Sequence, residues 1–130
     1  MFRKPDYVMV RVSDMERSVR FYRDTLGLAL RFQTPDWSEF DTGGTTLALH
    51  NGAKEHPAGR QSDGEPQAGS CSIGFQLEDL DATVKLLEAK GVRFLMPPTE
   101  RVTEGIRLAI AADPDGLAIS FAQVLPVKAG

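Results

Sequence analysis

The chain has 130 residues and a formal net charge of -3, with 15 basic and 18 acidic side chains. Its 42% hydrophobic and 25% charged composition is typical of a globular protein, and its length predicts one domain, residues 1–130, with its own core. The basic residues form no run, so the charge pattern predicts neither nucleic acid nor an anionic membrane as a partner.

Cysteine content and hydropathy bear on the compartment. The single cysteine, Cys71, excludes an internal disulfide and fits a reducing environment. The first residues lead into an alternating segment instead of a long apolar stretch, and no apolar run approaches the roughly 20 residues that span a bilayer. We therefore expect a cytoplasmic protein without a signal peptide.

The first half of the chain predicts a strand, a helix and three strands. Alternation predicts a strand over Tyr7–Val12, and Ser13–Glu16 has the capping-box pattern that starts a helix. Gly27 fits a left-handed residue that ends this helix. The apolar residues at helical spacing are Met15, Val19, Tyr22 and Leu26. The strands that follow are predicted at Leu28–Gln33, Trp37–Thr42 and Thr45–His50, with a hairpin turn at Gly43 and Gly44.

The second half repeats this order. Ser72–Leu77 alternates, and a helix is predicted from Asp79 to Gly91. Strands follow at Arg93–Met96, Ile106–Ala111 and Leu117–Ala122, with a strong turn signal at Asp113–Gly116. Internal similarity of this length indicates duplication of one supersecondary unit. The predicted boundaries are about 5–51 for module one, 52–69 for a Gly- and Pro-rich linker, and 70–123 for module two.

Residues 10–27, which read VRVSDMERSVRFYRDTLG, closely resemble the opening motif of the vicinal oxygen chelate superfamily. This superfamily includes glyoxalases, bleomycin resistance proteins and dioxygenases. Asp113–Gly116 before a strand resembles its closing motif, and the resemblance extends from about Pro5 to about Ala122. It implies an α+β fold in which two tandem βαβββ modules form a half-open cup of curved sheets.

The resemblance also implies four metal-binding positions, one on each of four strands, which relatives fill with His, Glu or Gln. In this chain they fall on Tyr7, Ala48, Ser72 and Ser120. Alanine has no ligating atom, a neutral serine hydroxyl binds transition metals weakly, and a phenol ionises only near pH 10. We therefore expect no metal site of the usual kind and no cofactor.

Strand alternation divides core residues from residues that face the cup. On the first strand it assigns Val8, Val10 and Val12 to the core and Tyr7, Met9 and Arg11 to the cup. Cys71 falls on the core face. The orientation of Trp37, Glu39 and Arg107 is left open between cup and surface. The predicted ligand-binding residues are Tyr7, Met9, Trp37, Ala48, His50, Ser72, Gly74, Gln76, Arg107 and Ser120.

Three functions are compatible with this pattern. The leading one is a metal-free homodimeric protein that binds a small organic molecule in its cup, as in the bleomycin-binding branch. The second is an enzyme of lyase, isomerase or dioxygenase type. It would use His50 or Tyr7 for proton transfer, or a different metal set such as His50 with Glu39 or with His56. The third is a subunit whose cup is filled by its own side chains and which acts through protein contacts.

Overall fold

The structure is a computed structural model, and it describes residues 2–52 and 68–126. The chain divides into two compact units, residues 1–59 and 60–130. Each unit contains one βαβββ module built on a four-stranded mixed sheet, so the predicted α+β class and the tandem repeat are confirmed. None of the helices in the described part of the chain has the length and apolar character needed to cross a bilayer.

The first module has one sheet with strand order β1-β4-β3-β2, in which β1 and β4 are parallel and the other pairs are antiparallel. Its helix runs on into a π-helical turn at Phe21–Thr25. The elements are β1 (Tyr7–Val12), α1 (Met15–Arg20), β2 (Ala29–Gln33), β3 (Trp37–Asp41) and β4 (Thr46–Asn51).

The second module repeats this topology with strand order β5-β8-β7-β6, and β5 and β8 are again the parallel pair. A 3₁₀ turn at Val102–Glu104 joins its second and third strands. The elements are β5 (Ile73–Gln76), α2 (Leu80–Ala89), β6 (Phe94–Arg101), β7 (Ile106–Ala112) and β8 (Ala118–Val124).

Each helix packs on one face of its own sheet and leaves the other face without a helix. In the first module, Tyr22 is buried against Phe40 of β3, with 6.0 Å between ring centroids. The buried residues on this side alternate along the strands as predicted, and they are Val10, Val12, Phe40, Leu47 and Leu49. In the second module the corresponding buried set is Leu80, Val84, Leu87, Ala109, Ala111, Ile119 and Phe121.

Two predicted core residues are exposed. Val8 is 38% exposed near the beginning of β1, where little packs over it. Cys71 is exposed because the ladder of β5 with β8 begins only at Ile73, opposite Ile119. Alternation fixes a side chain to one face only where strand pairing holds the backbone, so it gave no information for Cys71 or for the exposed Ser72 beside it.

The start of α1 differs from the predicted capping box. Asp14 is the N-cap residue, and its carboxylate accepts a hydrogen bond from the backbone N–H of Arg17 at 3.1 Å. The hydroxyl of Ser13 instead accepts from the Arg17 guanidinium at 2.9 Å. Asp79 caps α2 in the same way, through the backbone N–H of Ala82. Aspartate therefore supplies the cap in both modules, which agrees with the internal repeat.

The strand β6 continues five residues beyond its predicted end at Met96, because Pro97 and Pro98 do not terminate it. β6 lies at the edge of its sheet, and its register with β7 shifts between Met96 and Thr99. A proline that cannot donate to the ladder is tolerated at such an edge irregularity. Of the predicted linker, residues 53–67 lie outside the described residues.

Two buried serines of the first module provide a test of this packing. The hydroxyl of Ser18 is fully buried in α1 and has no hydrogen-bond partner among the described residues, whereas that of Ser38 donates to the sulfur of Met15 at 3.3 Å. We expect Ser18→Ala to raise the free energy of unfolding by about 0.5 kcal/mol or more, because it removes an unsatisfied hydroxyl and improves helix propensity. Ser38→Ala should lower it by about 1 kcal/mol.

Urea denaturation of both variants beside the unsubstituted protein measures these changes. A Ser18→Ala variant destabilised as much as Ser38→Ala would show that the Ser18 hydroxyl has a partner.

Candidate functional site

The helix-free face of the first sheet carries three rows of side chains across β1, β4 and β3. Residues that lie opposite each other in a ladder project to the same face, so the register defines which side chains are neighbours. From β1 to β3, the rows are Tyr7 and Thr46, then Met9, Ala48 and Glu39, then Arg11, His50 and Trp37.

Two aromatic rings meet over the centre of this grid. Tyr7 and Trp37 lie at diagonally opposite corners, and Ala48 lies between them. Their ring centroids are nevertheless only 5.7 Å apart, in an edge-to-face arrangement with 78° between planes. The two side chains must therefore lean toward each other across the central position. In agreement, Ala48 is 0% exposed although no helix covers this face.

Hydrogen bonds fix the orientation of the Trp37 indole. Its Nε1 donates to Glu39 Oε2 at 2.9 Å, and Glu39 Oε1 accepts from Arg31 Nη1 at 3.0 Å. The same Arg31 nitrogen donates to the hydroxyl of Thr46 at 3.1 Å. The ring of His50 packs beside the indole with 5.9 Å between centroids. Trp37 and Glu39 thus lie on the same face as Tyr7 and His50, which decides the orientation that alternation left open.

The corresponding face of the second module is small and mostly apolar. Ser120 lies opposite Gly74 on β5 and opposite Ile110 on β7, and Gln76 lies opposite Ala122. A Cβ added to Gly74 would lie 3.9 Å from that of Ser120, an ordinary contact distance. Ser72 precedes β5 and has no position in this ladder.

Arg107 lies on the other face of the second sheet, away from Ser120. Alternation along β7 places it on the same face as the buried Ala109. Its Nη2 donates to Asp81 Oδ1 of α2 at 2.8 Å. This hydrogen bond raises the pKa of Arg107 above its ordinary value. Arg107 therefore connects β7 to α2, and within the second module it lies on the opposite face of the sheet from Ser120 and Gly74.

Comparison with known proteins agrees with this architecture. Residues 4–121 match the family model of the glyoxalase/bleomycin resistance protein/dioxygenase superfamily. The chain belongs to this superfamily. A Bacillus subtilis protein, the uncharacterized YraH, is 30% identical over 124 residues, which cover 91% of this chain and 96% of YraH. The lactoylglutathione lyase of Schizosaccharomyces pombe is 27% identical over 141 residues, covering 86% of this chain but 44% of that enzyme.

Solved structures of the superfamily share the fold. A glyoxalase/dioxygenase from Nostoc punctiforme matches with a TM-score of 0.78 and 21% identity, covering 95% of this chain and 92% of that one. A glyoxalase/bleomycin resistance protein/dioxygenase from Nocardioides matches with a TM-score of 0.71 and 24% identity, covering 100% and 92%. Because one fold hosts many activities, these matches show the fold alone, and the function must be argued from the residues of the site.

The four positions at which the sequence resemblance implies metal ligands carry side chains that do not fit a divalent ion. Tyr7, Ala48, Ser72 and Ser120 offer no carboxylate or imidazole, and residues 2–52 and 68–126 contain no group of three or more His, Cys, Asp and Glu that could hold a metal. His50 and Glu39 were the alternative metal-binding pair, but both carboxylate oxygens of Glu39 already accept hydrogen bonds, from Arg31 and Trp37. His56, the other alternative, lies outside the described residues.

Sequence reasoning missed two members of this site. Arg31 lies at a register shift in β2, between Leu30 and Phe32, so alternation could not assign it to a face. Its side chain nevertheless reaches Glu39 and Thr46. Arg11 was predicted to face the cup but was not among the predicted ligand-binding residues, although the ladder places it opposite His50.

The closure of the two rings over Ala48 can be tested by overpacking. We expect Ala48→Leu to lower the free energy of unfolding by about 1–3 kcal/mol, because the larger side chain must displace the Tyr7–Trp37 pair. Ala29→Leu, at an exposed alanine of β2, is the matched control and should change it by less than about 0.5 kcal/mol. Urea denaturation measures both, and equal stability of the two variants would mean that the space above Ala48 is open.

Proposed function

We propose that this protein binds a small planar organic molecule on the helix-free face of its first module, without a metal ion. The proposal rests on the Tyr7–Trp37 pair. It occupies the space over Ala48, a position where metal-dependent relatives are expected to carry a ligand. Tyr7 remains 53% exposed. An aromatic surface held in place by the Trp37–Glu39–Arg31 hydrogen bonds suits stacking against a planar ligand, because little side-chain entropy is lost on binding.

The surroundings of His50 favour binding over acid–base catalysis. A catalytic imidazole is normally oriented by a hydrogen bond to its second ring nitrogen. Within the described residues the His50 imidazole forms no hydrogen bond, and its ring packs beside Trp37. Tyr7 likewise contacts Trp37 through its ring, and its hydroxyl has no protein partner in the described part of the chain. Both residues fit better as contact surfaces for a ligand than as proton donors or acceptors.

We propose that the small side chains of the second module form a separate candidate surface for ligand contact. Gly74, Gln76 and Ser120 share the helix-free face of their sheet and are neutral.

We also propose that the protein acts in the cytoplasm and as a homodimer, by analogy with the bleomycin-binding branch of the superfamily. Light scattering of the purified protein tests the dimer, and a monomer across the range of working concentrations would refute it.

A metal-dependent lyase is the second candidate, and the similarity to lactoylglutathione lyase favours it. The two functions make opposite predictions for bound metal. Under the binding function, treatment with EDTA should leave the melting temperature unchanged, and elemental analysis should find far less than one transition-metal ion per chain. A stoichiometric ion, or a large fall in melting temperature on EDTA treatment, would favour the lyase.

Ligand binding itself can be followed through Trp37, the chain's only tryptophan. We expect planar bicyclic compounds such as 2-naphthamide to change its fluorescence in EDTA-treated protein. Tyr7→Ala should weaken this binding by about fivefold or more, because one ring of the contact surface is lost. Phe2→Ala, at an aromatic residue that is 96% exposed outside both sheets, is the control and should have no effect.

Isothermal titration calorimetry measures the affinities directly. If no planar compound binds the EDTA-treated protein, or if Tyr7→Ala and Phe2→Ala bind equally well, the proposed site is wrong.

A further inference from the structure

One end of the aromatic surface carries a positive charge that no acidic side chain among the described residues pairs with. Arg11 lies opposite His50 in the ladder, and His50 lies opposite Trp37, so the three form one row across β1, β4 and β3. The Arg11 side chain is exposed, and within the described residues it makes no hydrogen bond or ion pair. The described contacts therefore give no structural reason for a guanidinium at this position.

The carboxylates on the same face are already engaged. Glu39 accepts hydrogen bonds from Arg31 and from the Trp37 indole. Asp41, at the far end of β3, accepts from the backbone N–H of Gly43 in the hairpin turn. Arg31 is neutralised by its ion pair with Glu39 at 3.0 Å. Arg11 is therefore the charge that this face leaves available for a ligand.

We propose that the ligand is a planar aromatic anion, with its ring system against Trp37 and its carboxylate on Arg11. This inference rests on the proposed function and specifies the ligand class for the same site. The guanidinium fork matches the two oxygens of a carboxylate and binds them in a bidentate manner. Arg11 and Trp37 are two strand spacings apart, about 10 Å, which an aromatic acid spans together with the two side chains.

The same arrangement discriminates against other ligand classes. An aromatic cation would find no free carboxylate on this row and would be repelled by Arg11. A neutral amide of the same shape would keep the stacking but lose the charged hydrogen bonds. Such hydrogen bonds contribute more than neutral ones, so the anion is preferred.

The test compares 2-naphthoate with 2-naphthamide, which differ in charge but hardly in shape. We expect 2-naphthoate to bind the EDTA-treated protein about tenfold more tightly than 2-naphthamide, as charged hydrogen bonds allow. Arg11→Gln should abolish this preference by weakening 2-naphthoate binding to about the level of 2-naphthamide. Arg20→Gln, at an exposed arginine of α1, changes the net charge equally and should retain the preference. Calorimetry measures the six affinities of the two compounds for the three proteins, and the preference should weaken as salt concentration rises.

The outcomes separate this inference from the proposed function. If both compounds bind equally, or if Arg11→Gln retains the preference, the anion proposal is wrong while the aromatic site stands. The same holds if Arg20→Gln loses the preference as fully as Arg11→Gln, since general charge attraction would then explain it. If neither compound binds, the proposed function fails and this inference fails with it.

Discussion

The register of three neighbouring strands determines the chemistry of the first module. β1 pairs in parallel with β4, and β4 pairs antiparallel with β3, so Met9, Ala48 and Glu39 are brought into one row. A shift of one residue in either ladder would turn an entire strand's side chains to the opposite face. A shift of β1 would turn Tyr7 to the core face, a shift of β3 would turn Trp37 there, and either one would separate the two rings. The aromatic contact is thus a consequence of strand pairing far more than of the two residues themselves.

The smallness of Ala48 permits that contact. Its methyl group leaves space above the centre of the sheet, and the two large rings at the corners fill it, with centroids 5.7 Å apart. A glutamate or histidine at this position would project into the same volume. A metal-ligating side chain at position 48 and the closed pair of aromatic rings would therefore exclude each other, because both need the same space. Filling it also avoids a void, which would cost packing interactions.

The two modules share a topology but differ in what their open faces offer. The first presents aromatic rings, an ion-paired Arg31 and an Arg11 side chain without an ion pair among the described residues, whereas the second presents glycine, serine, glutamine and aliphatic side chains. The aromatic and charged side chains of these two faces are thereby concentrated in one copy of the duplicated unit. In the second module Arg107 lies on the helix-covered face of the sheet, where it connects β7 with α2.

Sequence periodicity determined the two βαβββ modules and most of the helix-facing core, because both depend on local alternation. It failed where no ladder fixes the backbone, as at Cys71, and where a ladder is irregular, as at Arg31. Only the tertiary structure decided that Trp37 contacts Tyr7 and that Arg107 pairs with Asp81 of α2. These contacts depend on which elements become neighbours, and alternation within one strand carries no information about its neighbours.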